Sequence, residues 1–317
     1  MTALFDRAVG VYHFLGDRTP PNLPLVAPRK PPVNRWTRNG HALVARLKAG
    51  AVLKASVAEV LGLLGGLEKA VSRGERVMVK PNFNSADPPP ASSDLTFLRA
   101  VVELLLDAGA RVTIGESAGG VWRPTAKVFR QLGLPELARQ LGVELVAFED
   151  RPSEWVRVKV DGRYLSSLAM PRPAHEADKL VYLPCLKTHN LTGFSGALKL
   201  AFGFVHPGER RRFHMGHLQQ KIAEVSLCWQ PDLVIVDGRK SFVSGGPDRG
   251  RVVEPGVLMA SGDLIAIDVE AIEVLLGYKK AKNKLTADPW QMPQIAAAVR
   301  LGIGSGVKQY ILVEGTT

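Results

Sequence analysis

Short, wholly apolar segments alternate with longer amphipathic ones along most of this chain, and this alternation limits its fold more than any other feature. Residues 77–79, 180–183 and 233–236 are such apolar segments, and 112–114 is a further strand segment with one threonine. Strands that are apolar on both faces belong in a mostly parallel sheet that is covered by helices on both sides. The sequence therefore predicts an α/β fold with such a sheet, and two lobes around a crevice are one form that this fold can take.

The first fifty residues do not follow this pattern. Six prolines lie among basic residues between positions 20 and 32, and apolar periodicity is weak there. We interpret residues 1–50 as a proline-rich basic arm and lead-in, and residues 51–317 as the α/β domain. A homodimer, in which the arm wraps a second copy of the chain, is one arrangement that this segment allows.

A different periodicity interrupts the domain. Val156, Val158 and Val160 alternate with charged residues and are followed by Asp161-Gly162. Alternation with period two indicates a half-buried strand, and Asp-Gly is a strong turn signal between paired strands. We therefore predict an antiparallel hairpin insertion near residues 153–170.

The charge of the chain favours anionic partners. It has 41 Lys and Arg against 30 Asp and Glu, a formal net charge of +11, and such an excess attracts anions. No zinc-finger, basic-zipper or aromatic–basic RNA motif accompanies the charge, so no specific nucleic-acid binding is predicted.

Apolar runs fall short of the roughly 18 residues of a membrane span, and no signal-peptide core is recognisable. We expect a soluble, cytoplasmic protein that binds an anionic small molecule.

Cysteine is scarce in this chain. Cys185 and Cys228 are too few for a disulfide framework or for a cluster held by four thiolates, so no iron–sulfur cluster is expected. Lys187, two residues after Cys185, would lower a thiol pKa, but we favour a small buried strand residue at position 185. The sequence specifies no other cofactor.

Polar residues follow the predicted strands where each strand ends, and ligands collect at the carboxyl ends of parallel strands. The predicted catalytic residues are Lys80, Glu116, Lys187, His189 and Asp237. The lysines would hold negative charge, and His189 would move a proton together with Glu116 or Asp237. The residues expected to contact the ligand are Asn82, Ser117, Thr188, Asn190, Lys199, Arg210, His214, Gly245, Gly246 and Asp263.

Three histidines are the candidates for a metal site: His206, His214 and His217. His214 and His217 are three residues apart, a spacing at which two side chains on a helix can share an ion. Gly216 between them weakens the helix, and the neighbouring arginines suit an anion better than a cation. Because the spacing identifies no third ligand, no metal is assigned.

Seven motifs occur in a fixed order along the chain. They are VMVKPN at 77–82, GARVTIGES at 109–117, LPCLKTH at 183–189, GALKLAFG at 196–203, LVIVDG at 233–238, GGPDRG at 245–250 and GDLIAID at 262–268. In this order they resemble the domain of unknown function 362 family, over about residues 50–315. Members of that family often carry a ferredoxin-like module with cysteine clusters, so the resemblance implies redox chemistry. This sequence has no such module.

The leading hypothesis is an enzyme that acts on an anionic small metabolite at the Lys/His/carboxylate site. The resemblance favours an oxidoreductase without its own iron–sulfur cluster, whose electrons would come from a separate partner protein or a bound organic cofactor. Two alternatives stay open. One is a cofactor-free isomerase or lyase, and the other is a non-catalytic carrier of a cofactor or metal.

Overall fold

The computed structural model describes residues 10–12, 15–278 and 284–315. The strands are β1 Leu25–Val26, β2 Thr37–Arg38, β3 His41–Lys48, β4 Arg76–Lys80, β5 Arg111–Glu116, β6 Glu144–Ala147, β7 Trp155–Lys159, β8 Ser167–Pro171, β9 Lys179–Tyr182, β10 Cys185–His189, β11 Gly193–Ser195, β12 Leu233–Gly245, β13 Gly250–Val253, β14 Val257–Ser261 and β15 Tyr310–Glu314. The α-helices are α1 Leu53–Leu63, α2 Leu95–Asp107, α3 Thr125–Leu132, α4 Leu134–Leu141, α5 Arg172–Glu176, α6 Ala197–Leu200, α7 Pro207–Arg210, α8 Leu218–Val225, α9 Leu264–Leu276 and α10 Pro293–Arg300.

The main sheet confirms the predicted fold class. Eight of its strands lie in the order β15-β3-β14-β12-β9-β4-β5-β6. Within this order β14 alone runs against its neighbours, β12 and β3, and the other adjacent pairs are parallel. β10 extends the sheet by pairing in parallel with β12, and β11 folds back antiparallel on β10. The sheet is therefore mostly parallel.

Helices cover both faces of this sheet, as the sequence predicts. Along β4, Val77 and Val79 belong to one core, which also contains α1 and α2. Met78 between them belongs to a second core, together with α8, α9 and α10. Successive strand side chains point to opposite faces, so a strand that is buried on both sides must be apolar throughout.

Local signals set the ends of the helices. The carboxylate of Asp94 accepts the N–H groups of Thr96 and Phe97 at 2.8 and 3.0 Å and begins α2. Gly109, with φ at 80°, follows the end of that helix, in the left-handed region that favours glycine. The connection from α2 to β5 is fixed in this way. No helix in the described ranges is long and apolar enough to cross a membrane.

The hairpin insertion is present. β7 and β8 pair antiparallel, with Trp155 opposite Pro171. Part of the arm joins them, because β1 pairs in parallel with β7 to form a three-stranded sheet. Arg29 attaches the arm further by donating to the carbonyls of His175 and Ala177 at 2.7 and 2.5 Å.

β3 lies in the segment that we assigned to the arm and lead-in, yet it is an internal strand of the main sheet. It pairs with β14 on one side and β15 on the other. Its residues Ala42, Leu43, Val44 and Ala45 are all buried. The lead-in thus contributes directly to the core, and the boundary at residue 50 stays a prediction.

Candidate functional site

A cavity of about 490 Å³ lies where β4, β5 and β10 end. These strands run in the same direction, so the loops after them converge at one edge of the sheet. Eleven of the residues predicted from the sequence line it: Lys80, Asn82, Glu116, Ser117, Lys187, His189, Asn190, Lys199, Arg210, His214 and Gly246. The structure therefore brings most of the predicted site together.

Lys80 and Glu116 form an ion pair in the wall of the cavity. Lys80 Nζ lies 2.5 Å from Glu116 Oε1, and the two side chains are only 1% and 3% exposed. The carboxylate also accepts the N–H groups of Phe83 and Ser117 at 2.9 and 2.8 Å. Burial lowers the pKa of Lys80, and Glu116 opposes that shift. Glu116 thus neutralises Lys80 and holds the loops after β4 and β5 in place.

Lys187 is buried without such a partner. Its ammonium donates to the carbonyl of Ala91 at 2.5 Å, and in the described part of the chain no carboxylate lies within ion-pair distance of it. Burial lowers the pKa of Lys187. A buried cation that lacks a counter-ion is costly unless a ligand supplies one.

Lys199 is a third lysine of the cavity with a lowered pKa. It lies on α6, is half-buried, and its Nζ is 5.9 Å from the ring centroid of Phe202. Among the described residues it has no hydrogen-bond or ion-pair partner. Burial first, and then the charges of Lys187, Arg210 and Lys80, lower the pKa of Lys199 to about 7. Near neutral pH this amine is therefore able both to accept and to donate a proton.

The imidazole of His189 is neutral and can donate one hydrogen bond. Its Nδ1 accepts the N–H groups of Leu191 and Thr192 at 3.1 and 3.4 Å. A neutral imidazole that accepts at Nδ1 carries its proton on Nε2. Burial, together with the charges of Lys199 and Lys187, lowers the pKa of His189 to about 2. This ring stays neutral at physiological pH and offers one N–H.

Arg210 fastens the loops around the cavity. Its guanidinium donates to the carbonyls of Ala118 and Val205 at 2.8 Å, Gly203 at 2.9 Å and Ser117 at 3.1 Å. Burial lowers its pKa to about 10, so it stays charged near neutral pH. Its hydrogen bonds go to the backbone, and its charge adds to the positive potential of the cavity.

Four predicted ligand or catalytic residues lie outside the cavity lining, for identifiable reasons. Asp237 binds Arg239, with an Oδ2–Nη2 distance of 2.8 Å. Asp263 begins α9, where its carboxylate accepts two backbone N–H groups. Thr188 donates its hydroxyl to the carbonyl of Gly245 at 3.2 Å. Gly245, the fourth, accepts this hydrogen bond and has φ at 78° at the end of β12. All four residues thus stabilise turns or strand ends.

The glycines of the GGPDRG motif form a tight turn. Gly246 has φ at 84°, and a Cβ there would lie 2.0 Å from the carbonyl oxygen of Thr188. Its N–H donates to the carbonyl of Arg249 at 2.6 Å. Glycine at position 246 therefore allows the backbone of Thr188 to approach closely. Its N–H already donates a hydrogen bond to Arg249 and is not free for a ligand.

Of the candidate metal ligands, His214 lines the cavity. His206 caps α7 by accepting the N–H of Gly208 at 3.0 Å, and His217 stacks on Tyr164 with ring centroids 4.3 Å apart. Across the described ranges no group of three or more His, Cys, Asp or Glu is arranged to hold a metal ion.

Several lining residues were not predicted. They include Asn84, Ser195, Phe202, Trp122 and Asp248. Asn84 and Asp248 lie in motifs or loops that the sequence analysis identified, and their proximity to Asn82 and Gly246 was an available signal. Phe202 lies in the GALKLAFG motif, close to Lys199, and had the same signal. Trp122 had none, because apolar residues between elements are usually assigned to the core.

Comparisons with known proteins identify the family of this chain. The fold and cavity define an α/β protein with a basic cavity at the carboxyl ends of a mostly parallel sheet. The family model described as "Domain of unknown function (DUF362)" matches residues 77–273, and the chain belongs to this family. The thylakoid-associated protein sll1697 of Synechocystis sp. is 30% identical over 266 residues, which cover 81% of this chain and 77% of that protein.

A solved structure shows a more distant similarity. The lactate racemase apoprotein from Thermoanaerobacterium thermosaccharolyticum aligns with a TM-score of 0.39 and 14% identity, over 71% of this chain. The chain spans about half of that structure, since the alignment covers 54% of it.

Proposed function

We propose that this protein is an enzyme that moves a proton on a small anionic substrate bound in the cavity. The observation that carries the proposal is the excess of positive charge. Lys80, Lys187 and Arg210 are buried and Lys199 is half-buried, whereas the lining has two carboxylates, the buried Glu116 and the half-buried Asp248. An anion such as a carboxylate or phosphate would supply the missing negative charge.

The residues divide into binding and proton-transfer roles. Lys187 is suited to hold the anionic group, because Asp248, Asp87 and Glu116 only partly oppose its burial and none of them forms an ion pair with it in the described part of the chain. The Nε2–H of His189 is suited to donate a hydrogen bond to an oxygen on which charge develops. This role differs from the proton transfer that the sequence analysis predicts for His189, because a ring with a pKa of about 2 does not take up a proton at neutral pH.

Lys199 is suited to take the proton. An amine with a pKa of about 7 is present in its neutral form at physiological pH. It would accept a proton from a carbon next to the carboxylate or carbonyl of the substrate, and the electron pair of that C–H bond would pass to the oxygen held by His189 and Lys187. Return of the proton gives an isomerase, and loss of a neighbouring group gives a lyase.

Two other hypotheses concern the type of reaction and the location of the protein in the cell. Oxidoreduction with a separate electron-transfer partner rests on the family resemblance. A cytoplasmic location rests on the sequence, and the name of the Synechocystis relative offers membrane association as the alternative. Cell fractionation with an antibody against this chain distinguishes these two locations.

The proposal is tested by solvent isotope exchange. The protein is incubated in D₂O with a panel of small carboxylates, and ¹H NMR measures the loss of the proton next to the carboxylate. We expect exchange with at least one bound acid, and its loss in Lys199→Met. Lys159→Met is the matched control, since this exposed lysine ends β7 away from the cavity. Tight binding of an acid without any exchange would instead support a carrier.

A further inference from the structure

We infer that the anion bound here carries an apolar chain or ring, so that the ligand is an amphiphilic carboxylate or phosphate. This inference rests on the proposed function for the position of the anionic group. It goes further because the opposite side of the same cavity has a different chemistry. The two sides are distinguished by exposure and by polarity.

The inner side is cationic and closed to solvent. Lys80 and Lys187 are each 1% exposed, and Arg210 is 7% exposed. All three line the cavity. Glu116 already neutralises Lys80, so Lys187 and Arg210 are the counter-charges for an anionic head group on the buried side.

Apolar side chains predominate at the mouth, beside the exposed polar residues Asn190 and His214. Val121 and Leu191 line the cavity and are 39% and 55% exposed. Trp122, Phe202 and Leu218 are half-buried lining residues.

These apolar side chains come from separate parts of the chain. Val121 follows β5, Leu191 follows β10, and Leu218 begins α8. Single exposed apolar residues are ordinary, but convergence of several around one opening marks a site that binds apolar groups. The volume of about 490 Å³ lies in the range of sites for small organic ligands and leaves room beyond a head group.

The experiment is isothermal titration calorimetry of the full chain with linear carboxylates of increasing length, from acetate to octanoate, and with alkyl phosphates of matched length. Burial of each methylene is expected to strengthen binding roughly fourfold, until the chain extends past the mouth. A more negative heat-capacity change with length is the accompanying signature. The two series identify which head group is preferred.

Two variants locate the effect. Leu191→Gln is expected to reduce the affinity ratio of octanoate to acetate several-fold. Val307→Gln is the control, because Val307 is 56% exposed, almost the same as Leu191, and does not line the cavity; it should leave that ratio unchanged. Equal affinity along both series, with the short anions still bound, would overturn the amphiphile inference alone. Failure of every anion to bind would overturn the proposed function as well.

Discussion

Asp268 holds the short helix that carries Lys199. Its carboxylate accepts the N–H groups of Ala197 and Leu198 at 2.6 and 3.0 Å, immediately before Lys199 in the chain. Burial raises the pKa of Asp268 to about 7, although these two N–H groups oppose the shift. The position of the proposed proton acceptor thus depends on a buried acid from α9.

The raised pKa of Asp268 makes stability depend on pH. The folded state favours the protonated acid, so this contribution is complete below the ordinary pKa of 3.8 and is lost as pH rises towards about 7. Relative to Asp268→Asn, the wild type should lose about 1–4 kcal/mol of unfolding free energy between pH 4 and 7. Urea unfolding of both proteins across this range measures the difference, and parallel curves would contradict the prediction.

Anion binding should weaken as pH rises through 7. Lys199 titrates near this pH, and its protonated form attracts the ligand. Above pH 7 the affinity should fall by a factor that approaches about tenfold per pH unit where protonation is required. Calorimetry from pH 6 to 9 tests this, with Lys199→Met expected to remove the dependence. A dependence that persists in this variant would assign it to another group.

The substitution Lys187→Met should weaken anion binding without lowering the stability of the protein. Loss of the charge should weaken anion binding roughly 10–100-fold. Removal of a buried cation without a carboxylate partner should leave the unfolding free energy unchanged or raise it by up to about 2 kcal/mol. Thermal unfolding and calorimetry on the same preparation check both effects. A marked loss of stability would show that Lys187 is chiefly structural.

Glu116→Gln should destabilise the protein by about 3–5 kcal/mol, because Lys80 would remain buried and unpaired. The double variant Lys80→Met/Glu116→Gln should recover part of this loss, since it removes the unpaired charge. Chemical denaturation of the single and double variants completes the cycle. Equal destabilisation in both would contradict a role for charge compensation.

Sequence patterns predict the sheet and most of the cavity because both follow from local rules. Wholly apolar strands such as 77–79 require cover on two faces, and the polar residues after them must meet at one edge. Asp237 and Asp263 follow strands in the same way, but Asp237 forms an ion pair with Arg239 and Asp263 caps the start of α9. Strand-end position alone does not distinguish a ligand contact from a turn contact.

Other features depend on tertiary contacts that no short pattern records. The neutral form of His189 depends on the loop geometry that brings the Leu191 and Thr192 amides to Nδ1. The low pKa of Lys199 depends on charges contributed by separate chain segments. β3 was assigned to the lead-in, because proline and basic residues around it obscure a run of four apolar positions.

The four carbonyls bound by Arg210 have a consequence for how the cavity opens. Two of them belong to the segment after β5, and two belong to the segment that follows Lys199. One guanidinium therefore joins two sides of the cavity. Local unfolding of one side breaks bonds that also hold the other. Backbone amides on both sides should therefore exchange with solvent as one cooperative unit, at a common rate that a bound anion slows.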